Sequence, residues 1–531
     1  MIAKKKHIFP ILLMVAAFFA CSNEAEPSPK PLSPAIQVKV DSVGSEFVRL
    51  DIRLLESQTA WLYAVSGRET VNDASSIKEK GRSFEAGIRF YDGLKPDTEY
   101  TVYGAAEGSD GTFSSVVKVS FKTKGGNLYS WEKNRTGVPF FADMALLYGF
   151  MRTNPSKWDE DRTRPFVTWT DPDTGEEKWL FDAFLILEMR TPDYPPHTFG
   201  MAARDWENPS VGMIQANQED ATRFLDYWFE EGNGIPVLDK LVGEAAGRIG
   251  APRVKPKIIV MMPDVSVHER YDVSTSSTTY WGKVDGRQLD FSYPEDRRKA
   301  YYWYIDETRR RFDEANFQNI ELGGFYIMSE ELPNRRSGVG GAGGDRVDGV
   351  MLDGWEVEAK AWDDVFPAVS EYIHQYHESV CWIPYRRAAG YRYWKEFGID
   401  YAYMQPNYYW DTFGVNPISS YFSQIAANDL AMELEFDDMM MPSPVDRSPS
   451  EYTKTNEDVT KTETYEDYAA RWRGYIEGMQ SAPVYGKKPL AVYQDNDSFN
   501  HLKKSLYQCD KDAFNNLARL IAEDPLKEKN K

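Results

Sequence analysis

The rhythm of hydrophobic and polar positions changes twice along this chain. From Ala35 to Lys124, apolar and polar residues alternate in short segments, as in Ile36-Gln-Val-Lys-Val40, Phe47-Val-Arg-Leu-Asp-Ile52, Trp61-Leu-Tyr-Ala-Val65 and Val116-Val-Lys-Val-Ser-Phe121. Period two with turn residues between the segments predicts a small all-β sandwich over 35–124. Beyond Gly125 and Gly126 the pattern becomes apolar runs alternating with amphipathic stretches. The runs predict strands at Met144–Phe150, Phe181–Met189, Lys257–Met262, Leu322–Met328, Val380–Tyr385, Tyr401–Gln405, Ala431–Phe436 and Leu490–Gln494. Between most of them lie predicted helices at Glu219–Phe229, Arg297–Asn316, Trp355–His377, Ser419–Asn428, Tyr465–Gln480 and Asp497–Ala522. Helices of that length are the crossovers parallel strands require, so residues 125–531 predict an α/β domain. Eight such strands match a (β/α)8 TIM-type barrel. The segment Phe166–Trp179 interrupts the alternation and predicts a hairpin.

Active sites of such barrels lie at the C-terminal ends of the strands, so the polar residues there carry the functional reading. The fourth strand runs Ile320-Glu-Leu-Gly-Gly-Phe-Tyr-Ile-Met-Ser-Glu-Glu-Leu332 and stops on two acids, Glu330 and Glu331. The seventh reads Met432-Glu-Leu-Glu-Phe-Asp437, placing Glu433, Glu435 and Asp437 on one strand face and apolar residues on the other. An unpaired carboxylate against a core suffers a large desolvation penalty, so acids at these positions call for a substrate or cation nearby. Paired carboxyls suit glycoside hydrolysis: one protonates the leaving oxygen while the other, ionised, attacks or stabilises the sugar. A retaining mechanism expects the two carboxyls about 5–6 Å apart and an inverting one about 6.5–9.5 Å. The sixth strand end supplies Gln405 and Asn407 as hydrogen-bonding groups and Tyr409 and Trp410 as stacking rings. Trp382 and Tyr385 of the fifth, Tyr148 of the first and Asp495 of the eighth complete the expected substrate-binding set.

Composition narrows the partners. The 531 residues carry a net charge of −20 with pI near 4.9, which repels polyanions and excludes nucleic acid. Aromatic residues make up 14% of the chain, in keeping with ring platforms for a glycan. No glycine-rich nucleotide loop appears, and the one spacing that could bind metal, His374-x-x-His377, has no Glu between its histidines, so neither a cofactor nor a metal is expected. His374-x-x-His377 reads as a helix surface, the Ser337–Gly344 loop as a glycine-rich lid or equally a plain flexible insertion, and Cys381 and Cys509 as buried, inert thiols.

Four resemblances sharpen this picture. Lys4–Lys6, the apolar run Ile8–Phe19 and Ala20-Cys21 before a polar stretch resemble a bacterial lipoprotein signal. That resemblance implies cleavage after residue 20, acylation of Cys21, a proline- and serine-rich tether over 21–34, and a mature charge of −23. It also implies an extracytoplasmic protein held on the outer membrane, at its periplasmic face or on the cell surface. The stretch Leu94-Lys-Pro-Asp-Thr-Glu-Tyr100 resembles the tyrosine corner of fibronectin type III domains. The region from about Asp143 resembles uncharacterised secreted lipoproteins of glycan-utilising bacteria, through Gly324–Glu330 and Gln405–Tyr409. More broadly it is similar to (β/α)8 glycosidases with an acid/base after strand four and a nucleophile after strand seven. By that likeness Glu330 is the acid/base and Glu435 the nucleophile, with Glu331 and Glu433 as competitors. The expected function is a membrane-anchored, retaining glycoside hydrolase working beside other glycan-utilisation proteins. A non-catalytic glycan binder and a polysaccharide lyase are the alternatives.

Overall fold

The computed structural model describes residues 34–528 except 44–46, 56–58, 68, 85, 93, 96, 124–140, 150–156, 201–213, 266–277, 292, 333–354, 387, 389, 415–416, 445–451, 457–458, 483 and 496. The signal, Cys21, most of the tether, the Gly125-Gly126 boundary and the glycine-rich loop 337–344 lie outside the described residues.

The N-terminal part is all-β, with one short helix, Ala74–Lys80, capped by Asp73. Its strands form a three-stranded sheet (Ala35–Val43, Phe47–Leu55, Gly87–Asp92) and a four-stranded one (Arg82–Phe84, Thr59–Ser66, Glu99–Glu107, Val117–Lys122). Inward positions of the alternating pattern, among them Val48, Leu50, Ile52, Ala60 and Leu62, are fully or almost fully buried, as period two requires. Leu94 and Tyr100 of the corner motif are buried, and the Thr123 hydroxyl fastens it by donating to the carbonyl oxygens of Lys95 and Thr98.

The larger part is a closed barrel of eight strands: Asp143–Tyr148, Ala183–Leu187, Lys257–Met262, Glu321–Ile327, Ser379–Trp382, Tyr401–Met404, Ala431–Glu435 and Leu490–Tyr493. They pair in chain order, every pair is parallel, and the eighth closes on the first through Ala491 and Met144. The strands read as continuous apolar runs because a parallel barrel is covered on both faces, by lumen side chains and by helices. The fourth strand carries one irregularity. Ile258 and Ile259 of its neighbour pair with Leu322 and Gly324, leaving Gly323 as a bulge. At Gly324 an added Cβ would stand 2.0 Å from the Ser379 carbonyl oxygen, so only glycine lets the fourth and fifth strands approach this closely.

Helix starts follow local chemistry. Asn217 and Asp220 cap each other at the head of Gln218–Phe229, and Pro294 opens the helix Pro294–Ala315, which ends on left-handed Asn316. The expected helix at Asp497–Ala522 is two helices, Ser498–Lys504 and Gln508–Ala522. Gly234–Ile249, the hairpin Tyr452–Asn456/Val459–Glu463 and the 3-10 turn Tyr391–Phe397 are additions to the sequence reading. The helix Tyr465–Ser481 buries Tyr468, Trp472, Tyr475 and Met479, an i, i+4, i+7, i+11 stripe turned toward the barrel. Among the described residues no helix is long and apolar enough to cross a membrane.

Two side expectations are corrected. The His374 side chain is not a surface group: its Nε2 lies 2.7 Å from Asp400 Oδ2, tying its helix to the residue before the sixth strand. Of the two described thiols Cys381 is buried but Cys509 is exposed.

Candidate active site

The C-terminal mouth gathers the acids of the fourth and seventh strands. Beyond the Gly323 bulge, burial first and then the charges of Glu330 and Glu433 hold the Tyr326 phenol up. The charge of Glu330 likewise raises Glu433 and Glu435. The carboxyls of strands four and seven thus form one electrostatic unit across the mouth.

Their surroundings differ. Glu330 is open to solvent yet surrounded by the walls of the mouth. That crowding, with the charge of Glu331, pushes it up to about 7. Glu435 is fully buried, and burial pushes it up to about 8 against three hydrogen-bonding influences: the Tyr475 hydroxyl, the Asn407 backbone N–H and the Gln405 side chain. The Tyr475 hydroxyl donates to Glu435 Oε2 at 2.5 Å and accepts from the Tyr408 backbone N–H at 3.1 Å. Glu433 lies two residues deeper in the same strand. It is held well above the carboxylate range by burial, then by the charges of Glu435 and Glu330.

Glu331 diverges from its neighbour. It is buried and accepts a hydrogen bond from the Tyr385 hydroxyl, joining the ends of strands four and five. The Ser329 carbonyl oxygen accepts from Trp382 Nε1 at 2.6 Å, a second tie between the same two strands.

Two expected stacking residues are corrected on burial. Trp382 and Tyr409 are wholly inaccessible, leaving neither a ring face for a ligand. Tyr409 is instead a prop, its hydroxyl 3.1 Å from both the backbone oxygen and Oδ1 of Asp437. Tyr148 is also mostly buried, with its ring edge-on to Tyr493. Trp410 is half-buried and continues that aromatic row, 5.8 Å from Tyr493, while its Nε1 donates to Asp437 Oδ2. Gln405 is half-buried, Asn407 is exposed at φ 56°, and Asp495 is buried beside the Tyr493 hydroxyl. The loop bearing Tyr408–Thr412 is braced from behind. Glu463 accepts from Thr412 Oγ1 and Arg471, Arg471 Nε donates to the Tyr409 carbonyl oxygen, and Lys454 and Lys461 donate to those of Trp410 and Thr412.

Sequence reading missed Tyr475 and Tyr326. It also passed over Glu188 and Asp264, buried acids at the ends of the second and third strands that the strand-end rule could have found. Among the described residues the one cluster spaced for a metal is Asp193, His197 and Asp220, away from these carboxyls in the chain. Arg223 already pairs with both of its acids, and His197 Nδ1 lies 2.7 Å from Asp220.

Comparison with known proteins gives one extended match. A family model described as "Domain of unknown function (DUF4855)" matches residues 143–338 and 355–482, over half of the chain. No curated protein matches. Solved structures match only in part. The fibronectin type III domain of human fibronectin type III domain containing protein 3 is 18% identical, with 19% of this chain and 94% of that one covered at a TM-score of 0.15. The FN5 domain of Drosophila Lar is 24% identical over 18% of this chain and 99% of its own, at 0.13. Chitinase ChiA74 from Bacillus thuringiensis is 20% identical over 19% of this chain and 15% of its own, at 0.15.

Proposed function

This chain belongs to the family described as a domain of unknown function (DUF4855), and from its barrel mouth we propose that it is a retaining glycoside hydrolase. The observation that carries the reading is that the charge of Glu330 bears on Glu435, the first carboxyl accessible and the second buried among hydrogen-bond donors. Two interacting carboxyls lose their protons in two steps that belong to the pair. Between the steps the pair holds one proton and one charge, the state the reaction needs. Taken singly, Glu330 at about 7 and Glu435 at about 8 favour the proton on Glu435. For Glu435 to be the nucleophile, a bound sugar must reverse that order by covering Glu330 while Tyr475, the Asn407 N–H and Gln405 stay on Glu435. Among the described residues no hydrogen-bond donor acts on the acidity of Glu330. Glu330 is then the proton donor to the leaving oxygen and Glu435 the nucleophile that forms the glycosyl–enzyme bond. Water, deprotonated by Glu330, breaks that bond in the second half of the cycle.

Glu331 is assigned to positioning, since it is engaged by Tyr385. A lyase fits less well. Burial pushes the Tyr326 and Tyr475 phenols up, away from the phenolate a lyase base would need, and the acids repel a uronate. The proposal extends to the chain ends: Cys21 is the acylated anchor, on the outer membrane, and the N-terminal sheets are a fibronectin type III-like spacer. Radiolabelled palmitate incorporated by the wild type and absent from Cys21→Ala would support the anchor, and equal labelling would remove it.

The deciding experiment is a glycan panel read by released reducing ends, with wild type, Glu330→Gln and Glu435→Gln. We expect turnover on one substrate class, lowered by at least 1000-fold in each variant with folding intact, and a product that first appears with retained anomeric configuration. Binding without release by the wild type would replace the hydrolase with a glycan-binding protein.

A further inference from the structure

Arg386 lies just beyond the fifth strand, Ser379–Trp382, with contacts that lead to glutamates on both of its sides. The residue before it, Tyr385, reaches Glu331 through its hydroxyl. On the other side its guanidinium meets Tyr421, whose ring centre is 6.1 Å from that of Tyr408. The Tyr408 backbone N–H donates to the Tyr475 hydroxyl, which itself donates to Glu435. The Arg386 backbone is clamped from two elements. Its N–H donates to the Gln405 carbonyl oxygen at 3.0 Å, and its carbonyl oxygen accepts from Gln424 Nε2 at 2.6 Å. The side chain is held as well: Nη1 donates to the Tyr421 hydroxyl at 3.0 Å. The guanidinium carbon is 5.1 Å from the centre of that buried ring, within cation–π range.

This arginine differs from others in the barrel domain. Arg162, Arg311 and Arg471 pair with Asp497, Glu307 and Glu463 at 3.2, 2.8 and 2.6 Å. Arg386 is half-buried and meets a phenol where they meet carboxylates, with no acid against it among the described residues. A guanidinium carries five N–H donors, and Tyr421 accepts from one of its nitrogens. The other nitrogens are not sealed off, so a ligand in the mouth can reach them. The fork is planar, permanently charged and pinned in place, which suits two oxygens set side by side on one anionic group.

We infer that Arg386 is a specificity residue that pairs with an acidic substituent, a carboxylate or a sulfate, on the glycan held at this mouth. This rests on the glycosidase reading of the same mouth. The ionised member of the Glu330–Glu435 pair opposes an anion on the sugar being cleaved, so the substituent belongs to a neighbouring sugar that passes the end of strand five. The net charge of −20 opposes a uniformly anionic polymer. The preferred ligand is therefore a mainly neutral glycan with scattered acidic groups.

The test applies the full chain, solubilised in detergent at pH 7, to a glycan array built in matched sets. Each set holds an uncharged oligosaccharide and the same backbone bearing one glucuronate or one sulfate. We expect an acid-bearing member of at least one set to bind about ten-fold or more tightly than its uncharged parent. The glucuronate and sulfate members tell the two anions apart. Arg386→Met should erase that preference. Arg386→Lys, which keeps the charge without the fork, and Tyr421→Phe, which frees the guanidinium, should each reduce it partway. Thermal midpoints report whether each variant is folded. An array on which no acid-bearing glycan exceeds its parent would overturn the inference, as would a preference surviving in folded Arg386→Met. Undiminished preference in both Arg386→Lys and Tyr421→Phe would overturn it even if Arg386→Met failed to fold. Equal losses on charged and uncharged members would also overturn it, by making Arg386 a general contact. Failure of the hydrolase reading appears separately, as an acid preference with no reducing ends released.

Discussion

Replacing Lys527 by methionine should destabilise the barrel through a charge buried at its base. Asp143 opens the first strand with no exposure, and Lys527 Nζ lies 2.8 Å from its Oδ2. The lysine's hydrogen bonds go elsewhere, to the carbonyl oxygens of Leu180 and Ile521 at 2.6 and 2.7 Å, so its hold on Asp143 is Coulombic. At 2.8 Å and an effective dielectric near 20 that attraction is about 6 kcal/mol before desolvation is subtracted. Removing one partner of a buried pair typically costs about 3–5 kcal/mol, which is the loss expected once Asp143 is ionised. Its pH dependence carries the sharper test. Burial first, then the charges of Asp524 and Asp182, hold Asp143 well above 3.8 in the folded protein, against the pull of Lys527. The folded state therefore keeps a proton that the unfolded chain loses near pH 4. Stability from this group is full below that value and declines as pH rises. Without Lys527 the decline steepens, whereas protonated Asp143 needs no counter-ion, so the loss should shrink toward pH 4. Urea denaturation of wild type and Lys527→Met at pH 7 and pH 4.5, followed by tryptophan fluorescence, measures both. Asp143→Asn combined with Lys527→Met should recover most of the loss. Equal losses at the two pH values, or no recovery in the double variant, would refute the buried-charge account.

The remaining predictions concern the mouth and the fourth strand. Tyr475→Phe removes a hydroxyl that holds Glu435 below the value burial alone would give it, so the acid limb of the pH–rate profile should move to higher pH. An unmoved limb would mean that Glu435 does not need to ionise. The alkaline limb reports loss of the Glu330 proton, whose acidity is weakened by burial and then by the charge of Glu331, and Glu330→Gln should abolish that limb along with turnover on poor leaving groups. Gly324→Ala forces a Cβ onto the Ser379 carbonyl oxygen and should cost several kcal/mol, read as a large drop in the denaturation midpoint; wild-type stability would show that the strands can part freely.

The barrel was legible in the sequence because its strands are covered on both faces, which leaves them as apolar runs bounded by polar residues. The closed eight-strand order agrees, with strand ends displaced by one or two residues in most cases. The acids of the seventh strand were legible for the opposite reason: Glu433 and Glu435 break an apolar run at period two, a pattern with no ordinary packing origin. Gly234–Ile249 was hidden by its own packing. It begins Gly-Ile-Pro and carries Gly243, where a Cβ would come within 2.7 Å of the Asn319 side chain, so close approach to a neighbour removed the local helix signal.

Side-chain roles at the mouth were less legible, because they depend on which way a residue turns after its strand has ended. Glu330 and Glu331 are adjacent and chemically alike, but only the second meets the Tyr385 hydroxyl, and that contact spans 54 residues of chain. Trp382 and Tyr409 read as stacking platforms because an aromatic residue at a strand end has the same local pattern facing a cleft or a core. Their partners, the Ser329 carbonyl oxygen and Asp437, turn them inward. Tyr475 is the reverse case. It lies mid-helix among 32 tyrosines, marked only by the apolar stripe it shares with Tyr468, Trp472 and Met479, yet it donates to the carboxyl proposed as nucleophile. Local pattern thus identifies the elements that build the mouth and the charges they bring. The proton arrangement of those charges comes from contacts between strands and helices, and it is there that Glu435 and Glu433, two residues apart on one strand face, acquire different chemistry.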